Sequence, residues 1–462
     1  MDVIVGGGIV GLSIAWRMAR AGRAVTVVDP APASGASYAA AGMLAPVSEV
    51  TYTEAPLLRL GMASLRRWPS FAAELAQDAG LTGRSDDALA TAGGISDGTA
   101  RSGDGDPGTT AEVAGLGAFG GLEIGDAARH GLDLRADGTL DVAFGADDLA
   151  ALDELAAFMD KLGLPVERLT GRECRRLEPM LAPSVRGGLL APGDAWVDPR
   201  RVTAALLAAL ERLRVPLVRA RAAGLLRDED GRVIGVRLEP PTGAPGTPRE
   251  ESEPPSELRA ERVVLAAGAW SGELAEVPVR PVKGQIMRLR SPQPLLSRCV
   301  RGTVHGSYVY LVPRGDGELV VGATQEELGF DTRVTAGGLY ELLRDARELV
   351  PGVTELEIAD VVAGLRPGTP DNLPIIGPSG TPGLVLATGH YRGGVLLAPL
   401  TAALVLGDAG DSSGLGDLGG SGDFGGLGDL GGSGDLGGSG DLGGEEGRLA
   451  ALCSPGRFQE IS

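Results

Sequence analysis

The chain has 462 residues, 43% of them hydrophobic, and sets 42 Lys and Arg against 61 Asp and Glu, a formal charge of −19. That length suits two or three ordinary domains with a large core, and the negative balance opposes binding to nucleic acid or to an anionic membrane surface. Three well-separated cysteines and only three histidines argue against a disulfide framework or a histidine-rich metal site, so no metal is expected. No run approaches the roughly 18 apolar residues of a spanning helix, and no basic region precedes the first apolar run, so a cytoplasmic protein without a membrane segment is expected.

The chain opens with Val3-Ile4-Val5, then Gly6-Gly7-Gly8-Ile9-Val10-Gly11, an alanine-rich helical stretch, and Val25-Thr26-Val27-Val28-Asp29. A strand, a glycine turn, a helix, a second strand and a closing acid within one βαβ length predict a site for an adenine dinucleotide. Each glycine has its own task. Gly6 makes the turn, Gly8 lets the backbone approach a pyrophosphate, and Gly11 lets the helix pack close to the sheet. The pyrophosphate would sit on the free amides of the helix starting near Ile9 and Val10, and Asp29 would accept ribose hydroxyls.

Further along, apolar residues at three- and four-residue spacing predict helices over 11–20, 54–77, 146–161, 171–177, 199–213 and 395–406. Strands are predicted over 24–28, 188–190, 216–218, 222–227, 233–238, 262–266, 286–289, 308–313, 319–323 and 384–388. The first and last of these, with 262–266, have the fully apolar character of buried parallel strands. Residues 283–324 read instead as antiparallel ribbons joined by turns such as Arg314-Gly315-Asp316-Gly317. Residues 83–127 are rich in Gly, Ala, Asp, Ser and Thr and read as a flexible insertion. Residues 407–447 carry seven Asp, two Glu and no Lys or Arg, with Asp411, Asp417, Asp423, Asp429, Asp435 and Asp441 recurring every six residues. That period does not match calcium-binding glycine-aspartate rolls, so a solvated, disordered acidic tail is expected, with 448–458 either docked or free.

Four blocks are more specific: Gly35-Ala36-Ser37-Tyr38-Ala39-Ala40-Ala41-Gly42-Met43-Leu44, Val263-Val264-Leu265-Ala266-Ala267-Gly268, Ala363-Gly364-Leu365-Arg366-Pro367-Gly368-Thr369, and Gly389-His390-Tyr391-Arg392-Gly393-Gly394-Val395-Leu396. The first is apolar yet too small and glycine-rich for core. The second is a buried strand ending in small residues, which would let a cofactor lie against the backbone, although packing alone would give the same end. In the third, Arg366 sits in a segment that otherwise reads as buried, so its guanidinium needs either a protein carboxylate or a bound one. In the fourth, a glycine pair opens an apolar helix, a feature that serves a ligand or plain packing equally well.

In this order the blocks resemble the FAD-dependent superfamily of D-amino acid and sarcosine oxidases, and within it they are most similar to the glycine oxidases that feed thiazole formation in thiamine biosynthesis. The resemblance covers residues 2–82 and 128–406. It implies an α/β fold with an α+β second domain: a discontinuous Rossmann-like FAD-binding domain (1–82, 146–282 and 360–406) and a predominantly antiparallel-sheet substrate domain (128–145 and 283–359). It implies noncovalent FAD held by Gly6, Gly8, Ile9, Val10, Gly11, Asp29, Ser37, Ala41, Gly42, Met43, Gly268, His390, Tyr391, Arg392, Gly393, Gly394, Val395 and Leu396. By the same resemblance, Arg366 and Tyr310 would clamp a substrate carboxylate, with Arg392 and Tyr308 nearby. The activity implied is oxidation of glycine, and of other small amines such as sarcosine or D-alanine, to the imine, which from glycine gives glyoxylate and ammonia, with dioxygen as oxidant and hydrogen peroxide as its product. A homo-oligomer and handover of the imine to a thiazole synthase belong to the same expectation. The alternative is a D-amino acid or sarcosine dehydrogenase that passes electrons to a quinone or carrier.

Overall fold

The structure is a computed structural model that describes residues 1–81, 124–239, 256–410 and 442–461. A six-stranded sheet has the spatial order Ile375–Pro378, Leu384–Thr388, Arg262–Leu265, Asp2–Val5, Val25–Val28, Leu217–Val218. All its pairings are parallel except that of the edge strand Ile375–Pro378. Side chains alternate between its two faces, as the strand period requires. Ile4 and Val27 point into one core with the helices Ile9–Arg20, Pro199–Arg212 and Gly394–Gly410. Val3, Val5 and Val28 point into another, covered by a three-stranded antiparallel sheet of Arg221–Arg227, Val233–Glu239 and Glu257–Arg259.

An eight-stranded second sheet has the order Glu357–Gly368, Arg280–Arg290, Glu318–Gly322, Ser307–Pro313, Cys299–Val304, Thr139–Ala143, Gly187–Ala191, Glu167–Thr170. Every pairing is antiparallel except that between Cys299–Val304 and Thr139–Ala143. Met287, Leu289, Val309, Leu311, Leu319 and Val321 face a core under the helix Ala336–Leu349. Their neighbours Ile286, Tyr310, Val312 and Val320 face the opposite way, toward Ala41 and Met43. That second face is the wall on which the site is built.

The described fold departs from the sequence reading at several points. Residues 54–77 form two helices, Ala55–Leu65 and Trp68–Asp78, because Pro69 lies in the first turn of the second, where its missing N–H costs nothing. The helix Ala336–Leu349 was not foreseen, since Gly337 and Gly338 disguise its start. Thr335 caps it by accepting from the Gly338 amide at 3.2 Å, and Leu342, Ala346 and Leu349 form its buried stripe. Glu357–Gly368, Cys299–Val304, Thr139–Ala143, Glu167–Thr170 and Ile375–Pro378 are strands that the sequence did not announce. Glu167–Thr170 and Gly187–Ala191 fall within 146–282, the stretch assigned to the cofactor domain, yet both pair within the second sheet.

Most of the insertion expected at 83–127, and the aspartate repeat from Asp411 to Asp441, lie outside the described residues. The two ends of the 407–447 tail are helical rather than disordered, completing Gly394–Gly410 and beginning Leu442–Leu452. The three cysteines are buried and unpaired. Among the described residues no helix is long and apolar enough to cross a membrane.

Candidate active site

The site begins at the turn after the first strand. Gly6 has φ +117°, and a Cβ there would stand 2.2 Å from the Ala266 carbonyl oxygen; a Cβ on Gly11 would stand 1.9 Å from the Gly6 carbonyl oxygen. Strand, turn and helix therefore approach as closely as backbone can, leaving the first-turn amides of Ile9–Arg20 at the surface of a cavity. Ser37 Oγ accepts from the Ile9 amide at 2.9 Å, while Asp29 accepts from the amides of Gly7 at 2.6 Å and Ala31 at 2.8 Å. Burial raises the Asp29 carboxyl above its ordinary range, and those two amides pull it back.

From this turn a cavity of ≈ 780 Å³ runs between the two sheets to Arg366. Gly6, Gly8, Ile9, Val10, Asp29, Ser37, Ala41, Gly42, Met43, Gly268, His390, Tyr391, Arg392, Gly394, Val395, Tyr308, Tyr310 and Arg366 all line it. Three of the expected residues do not. Gly11 lies beneath the turn against Gly6. Gly393 and Leu396 face the helix Ala55–Leu65 across a smaller recess, and the Leu396 carbonyl accepts from Ser64 Oγ at 2.6 Å and Trp68 Nε1 at 3.0 Å.

Arg314, read from the sequence as a turn residue, is buried and anchors the 40–43 loop. Its guanidinium donates to the carbonyls of Ala41 and of Val197, the latter at 3.1 Å. Gly42 at φ +80° completes that loop, since a Cβ would fall 2.0 Å from the Val197 carbonyl oxygen. Across the cavity, Thr388 Oγ1 donates to the Gly268 carbonyl at 3.1 Å and meets Ser271 Oγ at 2.7 Å. His390 is buried with Nε2 2.9 Å from Thr401 Oγ1, and burial pulls its pKa down to about 4, so it is neutral at physiological pH.

At the far end, Arg366 projects from the long strand Glu357–Gly368 into space left by Gly284, where a Cβ would lie 2.4 Å from its nitrogens. Its Nη1 donates to the carbonyls of Thr324 at 3.2 Å and Lys283 at 3.4 Å. Among the described residues no carboxylate comes within ion-pair distance of it. Tyr310 lies beside it over Gly322; burial raises the Tyr310 hydroxyl, and the Arg366 guanidinium pulls it back. A guanidinium and a phenol thus meet at one end of the cavity, a pair of donors suited to a carboxylate.

Tyr308 is fixed by a cluster that the sequence did not reveal. Its hydroxyl donates to Asp141 Oδ2 at 2.6 Å, and Arg301 lies 4.5 Å over its ring and 3.5 Å from the same carboxylate. The residue as a whole keeps 45% exposure, while desolvation of the hydroxyl pushes its pKa up to about 12. Burial pulls the Arg301 guanidinium down, but Tyr308, Asp141 and Glu49 together outweigh it and hold the charge in place. Arg392 lines the cavity and is ion-paired with Glu54, whose other oxygen accepts from Asn372 Nδ2 at 2.8 Å. These partners come from distant strands and loops, so no local pattern marked them.

The residues present fit FAD. The Cβ-free turn and first-turn amides suit a pyrophosphate, the small 37–43 loop and Gly268 leave room for a planar ring, and the cavity is long and continuous between them. Comparisons with known proteins agree. The glycine oxidase of Geobacillus kaustophilus is 32% identical over 411 residues, covering 87% of this chain and 90% of that protein. The crystal structure of glycine oxidase from Geobacillus kaustophilus superposes with a TM-score of 0.69 at 30% identity, covering 90% of this chain and 96% of that one. The "Bifunctional protein ThiO/ThiG" of Nostoc sp. is 32% identical over 403 residues, but the matched region is 51% of its length, so this chain spans about half of that relative. The family described as FAD dependent oxidoreductase matches residues 3–85 and 84–406, and the chain belongs to it.

Proposed function

We propose that this protein is an FAD-dependent oxidase of glycine, giving the imine or glyoxylate, ammonia and hydrogen peroxide, and of similarly small amines such as sarcosine or D-alanine, giving the corresponding imine or its hydrolysis products and hydrogen peroxide. The observation that carries the proposal is Arg366, a cation in the cavity with no carboxylate partner among the described residues and with Tyr310 beside it. In a partly dehydrated cavity such a fork is satisfied by a carboxylate, and holding that group places the neighbouring carbon and its amine at a defined depth. Arg301 and Tyr308, held together by Asp141, line the same cavity, and their bulk favours a substrate with little or no side chain.

The chemistry that bound FAD supplies is acceptance of two electrons from the amine carbon and their delivery to dioxygen as peroxide. The chain's own part is binding and orientation. His390 is uncharged at neutral pH, and its Nε2 is engaged with Thr401, so it supports the start of the helix Gly394–Gly410. The positive end of that helix dipole, at Gly394 and Val395, favours negative charge developing on the cofactor.

The same reading includes noncovalent FAD, a cytoplasmic setting, a homo-oligomer and transfer of the imine toward thiazole synthesis for thiamine. Relatives named ThiO/ThiG support that last link. An anaerobic titration with glycine, sarcosine and D-alanine tests the core: bleaching of the flavin band by the smallest of them, followed by peroxide on admitting air, supports an oxidase. Bleaching without peroxide points to a dehydrogenase, and no bleaching by any of the three refutes the proposal.

A further inference from the structure

The family match ends at residue 406, yet the segment after the aspartate repeat is fastened to the body of the protein. Helix Leu442–Leu452 pairs Glu445 with Arg66 at 2.8 Å and Glu446 with Arg67 at 2.9 Å, and buries Leu449 in the main core. Cys453 is fully buried, and its carbonyl accepts from the amide of Ile376 at 2.9 Å, on the edge strand of the cofactor sheet. Arg457 then donates to Asp371 through Nε at 2.8 Å and Nη2 at 3.2 Å, and to the Leu373 carbonyl at 2.9 Å.

Asp371 organises the turn that follows Arg366, accepting from the Leu373 amide at 3.1 Å and from Thr369 Oγ1 at 3.3 Å. The same turn holds Asn372 at φ +60°, the left-handed conformation that Asn tolerates better than most residues. From there its side chain reaches Glu54, which pairs with Arg392 at the cavity wall. Two ion pairs are therefore linked through one amide along a single path, Arg457–Asp371, then Asn372, then Glu54–Arg392. Loss of Arg457 leaves Asp371 without its cation and the turn with fewer constraints on the Asn372 side chain.

We propose that the C-terminal segment 442–461 is a brace for the site, in which Arg457 is a positioning residue that fixes the 369–373 turn and, through Asn372 and Glu54, the attitude of Arg392 in the cavity. The effect on substrate rests on the reading of Arg392 as a site residue; the mechanical coupling does not.

The test uses the full chain loaded with FAD and two variants, Arg457→Ala and Asn372→Gly, the glycine keeping the left-handed backbone accessible. Arg457→Ala is expected to speed amide hydrogen exchange at 369–373 and around Glu54 and Arg392. It should also raise the KM for glycine about 3- to 10-fold, with kcat within about twofold, the size expected of a contact acting through others. Asn372→Gly should raise KM equally while 442–461 stays protected, and the double variant should add nothing further. Faster exchange confined to 442–461 with KM unchanged would overturn the brace, as would a double variant whose KM rise multiplies the single effects. A protein that oxidises no amino acid would sink the functional reading, and the exchange maps of the two variants would then decide the brace by themselves. If Arg457→Ala does not fold, Asn372→Gly decides it: faster exchange around Glu54 and Arg392 supports the brace, and an unchanged map overturns it.

Discussion

Replacing Arg366 with alanine separates a substrate clamp from a structural cation. In the folded protein its Nη1 makes two long contacts, 3.2 Å to the Thr324 carbonyl and 3.4 Å to the Lys283 carbonyl, and it has no ion pair among the described residues. Their loss should lower stability by no more than about 1 kcal/mol, since neutral acceptors at such distances contribute little net free energy. A carboxylate held by the guanidinium fork is worth more, roughly 3 kcal/mol for a charge-assisted pair, which at about 1.4 kcal/mol per decade is ~100-fold in KM. Arg366→Lys keeps the charge without the planar fork and should fall between the two. Steady-state peroxide production gives KM and kcat, and the ratio of flavin to protein absorbance reports whether the cofactor stays bound. A variant that loses its flavin, or one that keeps the parent KM, refutes the reasoning. Gly284→Ala is a companion, because its Cβ would land 2.4 Å from the Arg366 nitrogens, so it should raise KM while leaving Arg366 in the chain.

Gly11→Ala should abolish FAD binding or folding, since its Cβ would lie 1.9 Å from the Gly6 carbonyl oxygen and the strain of such overpacking is at least 1–3 kcal/mol; the flavin content of purified protein checks this. Tyr308→Ala should open the wall behind the substrate and raise kcat/KM for D-alanine relative to glycine about 10-fold, the usual scale for one added methyl or methylene, as read from parallel peroxide assays. His390 has its pKa lowered to about 4 from 6.5 by burial. Between those values the unfolded chain holds a proton that the folded protein lacks, so this residue's contribution to stability falls as pH drops through that window, by about 3 kcal/mol in all. Asp194, pushed up to about 6 by burial, acts in the opposite sense. The measurement is therefore the difference in denaturant unfolding free energy between the parent and His390→Gln at pH 7.5 and 4.5, which should shrink at the lower pH; a constant difference would refute it.

Much of the cofactor half was legible from the amino acids. The strands on either side of the Gly6–Gly11 turn form where their local pattern suggested, and small residues of the 37–43 and 266–268 segments line the cavity. The second sheet was harder to read. The strand Glu357–Gly368 lacks a clean alternation, because one end is solvent-exposed while the other lies against the cavity, and only its full-length pairing with Arg280–Arg290 makes it a strand. Lys283 and Arg288 are fully buried in that partner strand, and composition alone would have placed both at the surface.

What the sequence determined by itself is short-range: which glycines must lack a Cβ, where a strand hands over to a helix, and which side chains share a face. These follow from sterics and periodicities that act over a few residues. Only the tertiary structure decided which charges meet, because Glu54 and Arg392 lie 338 positions apart, and Asp141 and Tyr308 lie 167 apart. It also decided that the C-terminal segment docks rather than trails, since burying Leu449 and Cys453 requires an apolar surface that exists only once the helix Ala55–Leu65 and the edge strand Ile375–Pro378 have come together around the main core.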